Sequence, residues 1–209
     1  MLPLRCGLDY NCGVGGESEV TGMAWNRVRW TEARQITAML DWTAAAEGEP
    51  DASLSPQAFF EALVSSGRLV QATQFLGLAL PRWDAVAWAA RAVRDLRSGA
   101  ERKPAEVEAL KRALLWVQDP TEPRRRAVFE AAEAAPTSSP ERLAALAAFF
   151  SGGTVTPPDC QPIQAPHDAA GKLAAGAVIA AVFSGPEPLR ALENHLNEGV
   201  AMAQAGDQR

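Results

Sequence analysis

The sequence predicts an all-α fold: a single globular domain of about eight or nine helices joined by short turns, with one proline-rich irregular strap. Apolar residues recur at three- and four-residue spacing through most of the chain. Ser-Pro and Lys-Pro pairs open successive periodic segments, placing proline at the first helical position, where its missing N–H costs nothing. No stretch alternates apolar and polar residues long enough to be a strand. With 209 residues, 47% of them hydrophobic and 22% charged, the chain can bury one substantial core, so one domain is expected rather than two.

Residues 1–24 contain Gly7, Gly13, Gly15, Gly16 and Gly22 and show no periodicity. They are expected to be a disordered extension ahead of a helical domain spanning 25–205, with 206–209 a frayed tail. Met23 stands just before the first helical pattern and is a candidate translation start, which mass spectrometry of the native N-terminus would check.

The first helix is expected over Thr31–Ala46, behind Thr31 as N-cap, with Ala33, Ile36, Met39, Leu40 and Thr43 on one face. Gly48-Glu49-Pro50-Asp51 breaks it, and Ser55-Pro56 opens a second helix carrying Phe59, Phe60, Leu63 and Val64 until Gly67. A third runs from Arg68 to Leu78. Pro81 begins the fourth, with Val86, Ala89, Val93 and Leu96 as its stripe, and Ser98-Gly99 stops it. Lys103-Pro104 leads into the fifth, through Val107, Leu110, Leu114 and Val117, and Asp119-Pro120 interrupts the chain before a sixth over about 121–135. Ser139-Pro140 opens the seventh, through Leu143, Leu146, Ala147 and Phe150.

The strap follows, from Ser151-Gly152-Gly153 to Pro166, where Pro157, Pro158, Pro162 and Pro166 remove backbone donors and forbid a continuous helix. It is expected to lie extended over the core. Two last helices are expected over about 168–183 and 188–205. In the first of these, Leu173 to Phe183 is apolar all round and rich in Ala and Gly, so it is expected to be the central buried helix, with Gly176→Leu overpacking the core. The rhythm of short helices suggests a solenoid, but no fixed repeat period supports one.

Composition narrows function more than it names it. A net charge of −5 argues against a generic nucleic-acid surface, which needs concentrated Lys and Arg. The longest apolar run falls well short of the roughly 20 residues that cross a bilayer, and Met1 to Cys6 do not read as a secretory signal. Three cysteines, Cys6, Cys12 and Cys160, make no disulfide framework and fit a reducing cytoplasm. With only His167 and His195 beside them, a four-ligand zinc site is not expected, and Cys160 reads as a packed thiol.

Ser151 does not sit in a nucleophile elbow, since Phe149 takes the place of the earlier glycine; Gly152-Gly153 reads as a helix C-cap. Cys12-Gly13-Val14-Gly15-Gly16 lacks the Lys-Ser/Thr ending of a phosphate loop. No catalytic, cofactor-binding or metal residue is expected.

Trp and Arg residues are more informative. Trp83 and Trp88 are five positions apart, about 500° of helical rotation, so at least one should leave the core stripe. Beside Arg82 and Arg91 they form the composition of an interaction hot spot, although aromatics more often complete a core. Arg124-Arg125-Arg126 lies in the first turn of the sixth helix, against the macrodipole, with Glu130 placed to offset Arg126. Either this is a solvated face, or Arg124 or Arg125 reaches a carboxylate of a partner or of a neighbouring helix. Arg82, Trp83, Trp88, Arg91, Arg124 and Arg125 are the candidate partner surface.

Three segments, Ala79-Leu80-Pro81-Arg82 to Trp88-Ala89, Trp116-Val117-Gln118-Asp119-Pro120-Thr121-Glu122-Pro123-Arg124-Arg125, and Ala148-Phe149-Phe150-Ser151-Gly152-Gly153 through Pro157-Pro158, resemble an uncharacterised bacterial family often encoded in type VI secretion gene clusters. The resemblance covers about residues 50–205. It implies an accessory or adaptor role in effector loading or apparatus assembly, and carries no catalytic residues. The expectation is a non-enzymatic cytoplasmic adaptor that binds another protein, a secretion component or effector. An immunity or inhibitor protein masking a toxin, or an enzyme with an unrecognised site, are the alternatives.

Overall fold

Five of the helices place proline at their first or second position, and two of these are capped by the serine just before it. Ser55 Oγ accepts from the Ala58 N–H at 3.2 Å and Ser139 Oγ from the Arg142 N–H at 3.1 Å. The computed structural model describes residues 23–40, 42, 50–157 and 159–206. Among these the helices are α1 (Arg34–Thr37), α2 (Pro56–Ser65), α3 (Leu69–Ala79), α4 (Arg82–Leu96), α5 (Pro104–Gln118), α6 (Glu122–Ala134), α7 (Pro140–Phe149), α8 (Ala169–Val182) and α9 (Pro188–Gln204). The protein is all-α.

α4 and α8 form the centre. α8 packs on α3, α4, α7 and α9, while α4 also meets α5, α7 and α9, and α5, α6 and α7 pack mutually beside them. The central faces are built from small residues: Ala85, Ala87, Ala89, Ala90 and Ala92 on α4, Ala144, Ala145, Ala147 and Ala148 on α7, and Ala170, Ala174, Ala177 and Ala181 on α8 are all buried. Small side chains let helix backbones approach closely. The approach is tightest between α3 and α8, where a Cβ on Gly171 would lie 2.5 Å from the Gly77 carbonyl oxygen and one on Gly77 would lie 2.7 Å from that of Gly171. Larger residues close the ends, with Phe59 against Phe75 at 4.9 Å and Trp25 against Phe60 at 5.1 Å between ring centroids.

Several expectations change. The helix expected over Thr31–Ala46 is a single turn, α1, followed by turn residues to Leu40; positions 41 and 43–49 lie outside the described residues. Its backbone is drawn into other pairings: Ala33 N donates to Leu54 O at 2.9 Å and Arg34 N to Ala52 O at 2.8 Å, while Met39 and Leu40 tighten into three-residue turns on Ile36 and Thr37. Thr31 does not cap it with its side chain. Instead the Gln35 side-chain oxygen, Oε1, reaches back to accept from the N–H groups of Thr31 and Glu32, at 2.9 and 3.1 Å.

Gly176 is not a close-packing position, since a Cβ there would meet only Leu143 Cδ1 at an ordinary 3.8 Å. α8 is central yet not enclosed all round: Leu173, Gly176, Ile179 and Ala180 are half-buried and Phe183, just past its end, is exposed. The apolar run has four helix neighbours covering one side, and Gly171, a turn earlier than the predicted contact, takes the tightest of them.

The strap is a short hairpin rather than an extended cover. Val155 N donates to Ile163 O at 2.8 Å, Ala165 N to Gly153 O at 3.1 Å, and Thr154 bridges Gln164. Pro157 and Pro162 lie beyond the paired residues toward the tip and Pro166 follows the exit, so the N–H groups of Val155 and Ala165 are left to pair across the loop, which satisfies backbone that a helix could not. Cys160 sits exposed on this hairpin, not packed, and Ile163 is 59% exposed. The expected N-terminal extension falls outside the described residues up to position 22, with Cys6 and Cys12 in it, as do residues 207–209 of the expected tail.

Candidate partner-binding face

The segment before α1 builds the most chemically distinctive surface. Trp25 is buried on Phe60, and from there the chain runs across three helix ends. Asn26 Nδ2 donates to Gln204 O (3.3 Å) and Arg27 N to Ala203 O (3.0 Å), both at the end of α9. Arg27 Nε then meets Asp84 Oδ2 at 2.8 Å in the first turn of α4, and Trp30 Nε1 donates to Leu78 O at 3.2 Å near the end of α3. Those carbonyls belong to the last turns of their helices, which lack intrahelical partners, so side chains and the crossing backbone supply them.

The Arg27–Asp84 pair is a ridge between two clefts. On one side Trp83, Arg91, Met202 and Ala205 line a hollow of about 300 Å³. On the other, Arg29, Trp30, Leu78, Pro81, Arg82 and His167 line one of about 430 Å³. The corner between α3 and α4 shapes the second. Leu80 is held extended by the proline that follows it, Pro81 adopts the N-cap, and α4 restarts the helix in a new direction. Asp84 in that first turn is favoured by the helix dipole and holds the Arg27 guanidinium in place.

The structure sorts the six sequence candidates into two groups. Arg82 and Arg91 are exposed; Arg82 donates only a long bond, 3.4 Å, to Ser151 O, and no ion pair forms on Arg91 among the described residues. Trp83 is half-buried, its Nε1 donating to Val117 O at 3.2 Å at the end of α5, so the ring is fixed with part of its surface in the smaller cleft. Trp88 is 1% exposed and donates to His195 O at 2.7 Å; it is a core residue. Its place on the buried α4 stripe, with Trp83 rotated off it, follows the five-residue spacing.

Arg125 is an anchor rather than open surface, while Arg124 is tethered yet keeps a 42% exposed side chain. Arg124 donates to Leu115 O at 2.8 Å and pairs with Asp119 at 3.3 Å. Arg125 is 4% exposed: its Nη1 donates to Phe149 O (2.5 Å), its Nη2 to Thr154 O (2.8 Å), and its plane lies 5.0 Å from the Phe149 ring centroid. Gly153, in left-handed geometry at φ 66°, is what admits it, since a Cβ there would come within 2.8 Å of Arg125 Nη2. Arg126 donates to Thr156 O and Thr154 Oγ1, both at 2.6 Å. Glu122, not Glu130, balances this pair from the first turn of α6, at 2.6 Å from Arg125 and 2.8 Å from Arg126. Hydrogen bonds from Arg125, and then from Arg126, hold the Glu122 carboxyl down to about 2. Arg125 and Arg126 mount the hairpin on α6, while Arg124 ties α6 to the end of α5.

Sequence reading missed Arg27, Arg29, Trp30 and His167. The available signal was density, two tryptophans and two arginines within Trp25-Asn26-Arg27-Val28-Arg29-Trp30, in a stretch with no helical period. Among the described residues, no group of three His, Cys, Asp or Glu is placed to hold a metal ion, and no helix is long and apolar enough to cross a membrane.

These features define an all-helical protein with a cationic cleft built where residues 25–30 lie over the ends of its helices. The chain belongs to the family of unknown function DUF6931, whose sequence signature covers residues 59–203. No curated protein and no solved structure matches it.

Proposed function

We propose that the protein is a non-enzymatic adaptor that works in the cytoplasm by binding another protein through the face around the start of α4, the partner being a component or effector of a type VI secretion system. The observation that carries the binding role is the pair of fixed indoles beside open guanidinium groups: Trp30 and Trp83 are each tethered through Nε1 to a helix-end carbonyl, next to exposed Arg29, Arg82 and Arg91. Rigid aromatics and arginines are the residue types that dominate binding energy at protein interfaces, because they present large area with little ordering cost. The secretion context rests on the resemblance of the three segments around Pro81, Pro120 and Gly152 to a family often encoded in type VI secretion gene clusters.

The test is affinity purification of the tagged protein from native cells, beside an Arg82→Glu/Arg91→Glu variant. A defined secretion component recovered with the wild type and lost with the variant supports the reading. Repeated recovery of no such component, or equal recovery with both proteins, counts against it.

A further inference from the structure

We propose that the larger cleft, at the α3–α4 corner, is a docking site for an acidic segment of the partner protein, one with carboxylates flanking an apolar side chain. This specifies the partner's chemistry and rests on the adaptor reading above. The chain carries a net charge of −5, yet this cleft is lined by three arginines and a histidine, with no carboxylate among its lining residues. The two carboxylates beside it are already matched: Asp84 by Arg27 at 2.8 Å, and Asp168, next to His167, by Lys172 at 3.0 Å. The Lys172 ammonium, with a smaller contribution from His167, holds Asp168 below the usual carboxylate range. Arg29 and Arg82 are therefore the cations of the cleft with no carboxylate partner among the described residues.

A second contribution has a different origin. α4 is a 15-residue helix whose N-terminus opens beside this corner, so its positive dipole end adds to the guanidinium field. The acid that fills its first turn, Asp84, is paired with Arg27 and lines the smaller cleft, not this one. The third contribution is shape. Trp30, Leu78 and Pro81 make an apolar wall, and a cleft of about 430 Å³ takes two or three side chains, not a folded surface. Cations above an apolar wall match an apolar residue with Asp or Glu beside it. The same cations could attract a nucleic acid, but an overall acidic chain repels a long polyanion beyond this patch, so nucleic-acid binding serves as a contrary outcome.

The experiment is selection of a random twelve-residue peptide library on the immobilised full-length protein, followed by fluorescence anisotropy with the recovered peptides. Enrichment of Asp and Glu around an apolar residue is expected. Affinity should fall at least tenfold in Arg29→Glu/Arg82→Glu, fall several-fold between 50 and 200 mM salt, and change less than twofold in Lys111→Glu, an exposed charge on α5. Circular dichroism melts matching the wild type confirm that the double variant is folded; if it is not, Arg29→Gln/Arg82→Gln carries the same expectation of weakened binding. Recovery of no acidic consensus, acidic peptides that bind the folded charge-altered variants as well as the wild type, or tighter binding of a labelled single-stranded oligonucleotide would overturn the proposal. The adaptor reading fails separately, when acidic peptides are selected but no secretion component is recovered from cells.

Discussion

Replacing Gly171 with alanine should destabilise the protein although alanine is the better helix former. The added methyl would sit 2.5 Å from the Gly77 carbonyl oxygen, 2.9 Å from Leu78 Cδ2 and 3.0 Å from the Gly77 carbonyl carbon. Two of these three neighbours are backbone, so no rotamer change relieves the contact. α3 and α8 must separate by about 1 Å to restore an ordinary contact, and α8 is held from other sides by α4, α7 and α9. Overpacking of this kind costs about 1–3 kcal/mol, and a backbone clash between packed helices belongs at the upper end. Alanine returns up to about 1 kcal/mol of helix propensity. The expected net loss is about 2 kcal/mol, or a melting temperature lower by about 4–8 °C for a chain of this length.

Gly176→Ala is the internal comparison. Its methyl meets only Leu143 Cδ1 at 3.8 Å, so the propensity gain is not opposed and the melting temperature should rise by about 2–4 °C. Thermal and urea unfolding followed by circular dichroism measure both. A Gly171→Ala protein as stable as the wild type, or a Gly176→Ala protein less stable than Gly171→Ala, would refute the close α3–α8 packing.

Arg125→Met should cost about 2–4 kcal/mol in urea unfolding, because Phe149 O and Thr154 O lose charged donors, and should speed amide exchange across residues 153–165; unchanged exchange there would mean that the hairpin holds itself. Glu122→Gln should lower stability at pH 7 by no more than about 1 kcal/mol, since the carboxylate is 54% exposed and solvent screens it. A carboxylate whose folded pKa is depressed to about 2 stabilises the fold above its ordinary 4.5 and loses that contribution as pH falls toward 2, so wild type and Glu122→Gln should converge across this window. A difference that stays constant from pH 6 to 2 would contradict it. Gly176→Leu should be tolerated, because the side chain can enter the cleft of about 250 Å³ lined by Leu40, Trp42 and Ile179; a loss above about 1 kcal/mol would show that this cleft is closed in solution.

Much of the fold is legible because its signals are local. Ser55-Pro56, Lys103-Pro104 and Ser139-Pro140 start helices within a residue of their observed ends, since caps and proline act within one turn. What stayed hidden depends on distant partners. Ala33 and Arg34 pair with Leu54 and Ala52, which shortens α1 whatever its periodicity says. Gly171 and Gly176 are alike in sequence, and only the course of α3 makes the first a contact point. Of the candidate face, Arg82 and Arg91 stand out by composition, and helical rotation requires only that one of Trp83 and Trp88 leave the core stripe. Arg125 was read as surface because nothing local announces that Phe149 and Thr154 come to meet it, and Arg29, Trp30 and His167 converge only through the tertiary fold.

Binding of a partner at the face around the start of α4 can be read out by placing a photo-crosslinking residue at position 82, 91 or 130 and irradiating native cells. One defined protein should crosslink from 82 and 91 and not from 130, an exposed position on α6 outside this face. Crosslinks from 130 that equal those from 82 and 91, or none from any position, would contradict it.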